Sequence, residues 1–138
     1  MKGLLLINLG SPDSTSIPDI KRYLDEFLMD KRVIGKSYIF RWILVKLVIL
    51  NIRPRKSAKA YKKIWWKEGS PLIVLSRRLF DKITKLLDIP VSLAMRYGSI
   101  TIKKGIQELE DNGVKDKEMK LSRCCFFYLG FAIIFRVN

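Results

Sequence analysis

Gly3 to Leu9 is an apolar run, polar only at Asn8, that ends at the turn Gly10-Ser11-Pro12-Asp13. A run apolar on both faces suits a parallel strand covered on both sides. The turn leads into a predicted helix. Ser16 is its cap, Pro18 sits in the first turn, and Asp19 takes the capping-box place. Ile17, Ile20, Leu24, Phe27 and Leu28 recur at helical spacing, and Asp30-Lys31-Arg32 ends that face. Lys36 to Ile52 predicts a second, unusually apolar helix, which Pro54 is expected to interrupt. Ser57 then caps a helix carrying Ala58, Tyr61, Ile64 and Trp65 on one side. After the break Gly69-Ser70-Pro71, the stripe Leu72, Leu75, Leu79, Ile83 and Leu86 predicts another helix, with Pro90 beyond its end. Val91 to Tyr97 reads as a second buried strand, and Gly98-Ser99 turns the chain. Ile102, Ile106 and Leu109 share one face of a last helix, closed by Gly113.

Strand, helices, strand, helix is the order of an α/β layered domain with a parallel sheet. No repeat and no internal linker interrupts it. From Val114 the character changes. Lys115 to Lys120 is dense charge, and Leu121 to Val137 is strongly apolar. That segment can supply a strand, but no crossover helix follows it, and a doubly wound domain should not stop there.

Composition narrows the chemistry. At 138 residues there is room for one domain with a modest core. The two cysteines, Cys124 and Cys125, are adjacent, which excludes a disulfide framework and metal-finger spacing. The chain contains no histidine, so it can build no Ser-His-Asp triad, Cys-His pair, HExxH zinc site or histidine base. The net charge of +14 attracts phosphates, acidic membranes or carboxylated ligands without choosing among them. The N-terminal apolar run is too short for a signal peptide. Ile39 to Ile52 is interrupted by Arg41 and Lys46, and its uncharged stretches fall well below the roughly 18–20 residues of a spanning helix. The expected location is the cytoplasm, with a buried core helix and a membrane-surface segment as the two readings of that run.

Several segments, in order, resemble ferrochelatase, the terminal enzyme of haem synthesis. They are Leu4 to Pro12 (LLLINLGSP), Tyr23 to Asp30 (YLDEFLMD), Arg53 to Trp65 (RPRKSAKAYKKIW), Glu68 to Leu72 (EGSPL) and Ala94 to Gly98 (AMRYG). Each is weak alone; together, at family-like separations, they are specific, and they cover about Lys2 to Gly113. The resemblance implies a Rossmann-like parallel-sheet chelatase domain over 1–113, incomplete, the first of the two domains of a full-length member. Residues 114–138 form an atypical tail. A frameshifted or truncated gene product and a divergent end both account for it.

The implied family reaction is a lyase reaction, insertion of ferrous iron into a porphyrin with release of two protons. The substrate is protoporphyrin IX or coproporphyrin, and no cofactor is covalently bound. The implied catalytic histidine and its acidic partner belong to the second half of a full-length chain. The resemblance therefore assigns no catalytic and no metal-binding residue here. It implies porphyrin contacts from Leu9 and Ser11 in the loop after the first strand, from Arg53 and Ser70 toward the propionates, and from Arg96 and Tyr97 at the end of the second strand. Leu9 stands where some members have a tyrosine or methionine near the metal, and leucine can only pack there. An arginine fork suits a carboxylate because it donates two bonds.

Each position also has a plainer reading. Arg53 lies in a basic run that is ordinarily solvated, Ser70 can cap the next helix, and Tyr97 can be core. Tyr23 to Ile52 matches the apolar lip over the porphyrin, with peripheral membrane contact through Ile39 to Ile52. The isolated chain, holding only the porphyrin-gripping half, is expected to be inactive. The alternative function is a basic binding module for nucleic acid or an anionic membrane. Its basic residues are spread along the chain with no nucleic-acid motif, and no nucleic acid is expected as partner.

Overall fold

The computed structural model describes residues 2–114, 119–122 and 133–137. Strand β1 (Gly3–Asn8) is buried along its whole length, and it pairs in parallel with β2 (Val91–Met95) from Leu4 opposite Val91 to Asn8 opposite Met95. Burial on both faces is what the continuous apolar run requires. One face, through Leu5, Ile7 and Ala94, meets Ile102, Ile106 and Leu109 of helix α5 (Ile102–Asp111). The other, through Leu4, Leu6 and Val91, meets Phe80 and Ile83 of helix α4 (Pro71–Leu86). Helix α5 approaches closely because of Gly105: a Cβ there would lie 2.9 Å from Leu5 Cδ1 and 3.1 Å from Ala94 Cβ. Thr101 caps α5, accepting from the Lys104 amide.

The sheet has four strands in the order β2-β1-β4-β3, with β3 at Met119–Ser122 and β4 at Ile133–Val137. Strand β4 is antiparallel to both neighbours. Strand β3 therefore runs parallel to β1, as a crossover through α5 from β2 directs. The place beside β1, where a purely parallel sheet would put that strand, is taken by the returning β4. The chain is α/β as expected, but the sheet is mixed. Residues 123–132, including Cys124, Cys125, Tyr128, Phe131 and Ala132, lie outside the described residues.

The chain divides into two compact units: Met1–Gly10 with Leu72–Asn138, and Ser11–Pro71 inserted between them. The inserted unit is helical. Helix α1 (Ile17–Met29) begins where predicted, with Ser16 Oγ accepting from the Asp19 amide at 3.3 Å. The reciprocal half of a capping box is replaced by a relay. The Ser16 amide donates to Ser14 Oγ at 3.0 Å, and Ser14 Oγ donates to Asp19 Oδ2 at 2.6 Å. Ile20, Leu24 and Leu28 of α1 share a core with Val45, Leu50 and Ala58.

Three expectations change. Pro54 does not interrupt its helix. Helix α2 (Tyr38–Ile43), a π-helical segment (Leu44–Ile49) and α3 (Leu50–Ile64) follow without a break, and Pro54 is interior. A helical proline clashes with the carbonyl four residues earlier. That carbonyl belongs to Leu50, whose ψ of −12° tilts it off the helical direction. The widened turn just before it absorbs the adjustment. Ser57 is consequently interior to α3 rather than a cap, and Ser37 caps α2, accepting from the Phe40 amide. In α4, Leu75, Leu79 and Leu86 are exposed, while Val74 and Ser76 are buried and Phe80 and Ile83 meet the sheet. The side used keeps Ile83 of the predicted stripe and otherwise turns on Val74, Ser76 and Phe80.

Candidate functional site

Parallel strands leave their carboxyl ends as the ligand edge of an open α/β sheet. Here that edge is built by the ends of β1 and β2 and the residues that follow. The pairing continues past the strands: the Arg96 amide donates to Asn8 O at 2.8 Å and the Tyr97 amide to Leu9 O at 3.0 Å. Leu9, Arg96 and Tyr97 are thereby brought together. Tyr97 is buried, and its hydroxyl accepts from Arg96 Nε at 2.9 Å. The Arg96 guanidinium carbon also stands 5.4 Å from the Tyr97 ring centroid. One bond and one cation–π contact hold the guanidinium by its neighbour in sequence.

Gly10 closes this corner with φ of +105°, and a Cβ on it would lie 2.0 Å from the Tyr97 carbonyl oxygen. Only glycine permits that approach. Asn8 anchors the strand end from beneath. Its Nδ2 donates to Ser76 Oγ at 2.9 Å, its Oδ1 accepts from the Leu9 amide at 2.7 Å, and Ser76 Oγ donates to Leu72 O at 2.8 Å. Asn8 and Ser76 are both buried, and every link in the chain is paired.

The other expected contact residues belong to the helical unit. Ser11 is buried, and its Oγ has no hydrogen-bond partner among the described residues. Arg53 is exposed on α3. Ser70 is buried immediately before Pro71, the first residue of α4. Near the start of α1, Arg22 bridges Asp13 at 2.9 Å and Asp19 at 2.7 Å. The Ser14 hydroxyl first, then Ser16 and the Arg22 charge, hold the Asp19 carboxyl below its ordinary range. Among the described residues, no group of three or more His, Cys, Asp or Glu side chains is placed to hold a metal ion.

Sequence reasoning passed over Asn8, Ser76 and Arg41 as individual side chains. The signal for Asn8 was available: a lone amide ending an all-apolar strand has to find buried partners. Ser76 carried none, since a serine within a helix is ordinarily solvated. In the sequence Arg41 shows only as an interruption of an apolar run. It is buried, and its Nη1 donates to the carbonyls of Ile34 and Lys36.

The family model for ferrochelatase matches residues 1–119. Ferrochelatase of Azotobacter vinelandii is 52% identical over 113 residues, 81% of this chain and 33% of the relative. That of Coxiella burnetii is 48% identical over 111 residues, 79% of this chain and 31% of the relative. That of Vibrio atlanticus is 47% identical over 118 residues, 83% of this chain and 36% of the relative. No solved structure matches. The chain spans about a third of the length of these curated relatives. With a match over most of its length, the chain belongs to the ferrochelatase family.

Proposed function

We propose that this chain is the porphyrin-holding part of a ferrochelatase-type lyase, whose reaction inserts ferrous iron into protoporphyrin IX or coproporphyrin. The observation that carries the reading is Arg96, placed at the carboxyl end of the parallel pair and oriented by Tyr97, in a chain of this family. A guanidinium so held is preorganised for a propionate carboxylate. Leu9, half-buried, supplies apolar surface beside it, and the buried Tyr97 acts by holding the guanidinium. Ser11, with its unpartnered hydroxyl, and Arg53 and Ser70 are the contacts proposed from the helical unit.

Metal insertion also needs a group that accepts the pyrrole protons near neutral pH. Histidine suits that task, with an unperturbed pKa of about 6.5, and this chain has none. Carboxylates as a class are too weakly basic for that task, and lysine side chains as a class too strongly basic to be free near neutral pH. The chain by itself is therefore proposed to bind porphyrin without metalating it.

The place of action is proposed as the cytoplasm, with peripheral membrane contact through Ile39 to Ile52. Ile39, Phe40, Ile43, Leu47 and Ile52 of this stretch are exposed. No helix among the described residues is long and apolar enough to cross a membrane.

The test is anaerobic incubation of the purified chain with ferrous iron and a dicarboxylic porphyrin. A saturable shift of the Soret band with no loss of free-porphyrin fluorescence beyond a boiled control is the expected result. Turnover proportional to protein would show that the chain contains its own base. Absence of any Soret shift would remove the porphyrin-holding role.

A further inference from the structure

Arg41 lies in the longest stretch of the chain without an acidic residue. From Lys31 to Lys67 there are twelve lysines and arginines and no aspartate or glutamate. Most of these cations are exposed, where water supports them. Arg41 is not: it is 7% exposed, at the centre of α2.

Its partners are all neutral. Nη1 donates to Ile34 O at 3.2 Å and to Lys36 O at 3.0 Å, and the guanidinium carbon stands 5.8 Å from the Tyr38 ring centroid. Nε is buried and has no acceptor among the described residues. No carboxylate among the described residues reaches Arg41; the ion pair nearby in sequence joins Lys46 to Asp25 instead.

A buried cation without an anion is costly, because carbonyl oxygens return only part of the lost hydration. The geometry of what is used and unused is informative. Nη1 is spent on the loop Ile34 to Lys36. The remaining edge of a guanidinium, Nε with Nη2, is the side that meets two oxygens of one oxyanion in parallel. The unsatisfied atom belongs to that edge. Exposed Tyr38, Ile39, Phe40, Trp42 and Ile43 surround Arg41 in sequence, so an anion arriving with apolar chains attached would also find cover there.

We propose that Arg41 is an anion-binding residue, taking a phosphate-class oxyanion on its Nε–Nη2 edge. The anion is either free phosphate or the phosphodiester of a lipid headgroup. This site does not depend on the porphyrin reading: Arg41 is none of the residues proposed to touch porphyrin.

The test uses the full chain in a maltoside detergent, at constant ionic strength and with chloride replaced stepwise by inorganic phosphate. A parallel series replaces the detergent by phosphatidylcholine vesicles, which present phosphodiesters without net surface charge. The thermal midpoint of the parent chain is expected to rise and saturate, by mass action of a ligand bound to the folded state. Arg41→Lys keeps the charge and loses the fork, and its apparent affinity should fall roughly tenfold or more. Arg41→Met should lose the response altogether. Lys59→Gln, which removes an exposed cation from α3, should keep it. A response to phosphate alone assigns free phosphate; a response to vesicles alone assigns the headgroup. The proposal is overturned if neither series moves the parent midpoint, or if Arg41→Lys responds as the parent does. If Arg41→Met does not fold, the Arg41→Lys comparison alone decides.

Discussion

The carbonyl oxygen of Tyr97 occupies the space that a Cβ on Gly10 would need, 2.0 Å away. This single approach joins the turn after β1 to the residue that orients Arg96. With φ at +105°, an alanine at position 10 meets both an unfavourable backbone and a backbone clash. Gly10→Ala is expected to destabilise the chain by about 3 kcal/mol or more. Gly35→Ala, where an added Cβ meets nothing within 4 Å, should change stability by less than about 0.5 kcal/mol. Urea denaturation of the two variants checks the contrast, and equal effects would contradict it.

Asn8 and Ser76 form a buried polar link between the end of β1 and α4. Removing either leaves the other short of a partner. Asn8→Ala and Ser76→Ala should each cost about 1–3 kcal/mol. The double variant should cost clearly less than the sum, with a coupling of about 1 kcal/mol. A double-mutant cycle read by denaturant midpoint shows this, and strict additivity would mean that the bond contributes nothing.

Asp19 carries a pH prediction. Its folded pKa lies below the ordinary 3.8, chiefly through the Ser14 hydroxyl. A depressed carboxyl contributes stability above its unfolded pKa and loses it as pH falls through the folded value. Ser14→Ala should raise the Asp19 titration midpoint toward 3.8 and reduce stability at neutral pH. Below the folded pKa, parent and variant should converge. Carboxyl chemical shifts followed by NMR, with unfolding at pH 7 and pH 2, test both halves. A midpoint that stays put would assign the shift to Ser16 or Arg22.

Much of this architecture was legible because its signals were local. The apolar runs at β1 and β2, the Ser16 cap and the stripe on α5 each name one element through its own residues. The porphyrin-contact candidates Leu9, Arg96 and Tyr97 were reached through motif resemblance, and the fold gathers them at one strand edge. Other features depended on partners far along the chain. Pro54 fits inside a helix because of a tilted carbonyl and a widened turn, which no periodicity announces. The α4 stripe was only partly right: its Ile83 meets the sheet, but Leu75, Leu79 and Leu86 are exposed, while Phe80 and the buried Ser76 lie outside it. The antiparallel seat of β4 beside β1 is a long-range pairing, invisible to any window of sequence.

The helix face Ile39, Ile43 and Leu47 is exposed at 72%, 47% and 58%. Contiguous apolar surface of this kind promotes association. The triple variant Ile39→Ser, Ile43→Ser, Leu47→Ser should shift the chain toward monomer in detergent-free buffer, with helix content unchanged. Light scattering coupled to gel filtration, together with circular dichroism, reports both. Identical association by parent and variant would place the sticky surface elsewhere.

The central claim is that this chain grips a porphyrin through its carboxylates, with Arg96 as the oriented fork. The most direct measurement is a Soret-band titration of the parent, Arg96→Ala and Arg96→Lys with a dicarboxylic porphyrin and with its dimethyl ester. The account predicts that Arg96→Ala weakens binding of the diacid by about 1.5–3 kcal/mol, roughly 10- to 100-fold. Arg96→Lys should recover little of it, because the fork and the Tyr97 contact are lost together. The ester should bind all three proteins with similar, weak affinity. Diacid binding unchanged by either substitution, or ester binding as tight as the diacid, would contradict the claim.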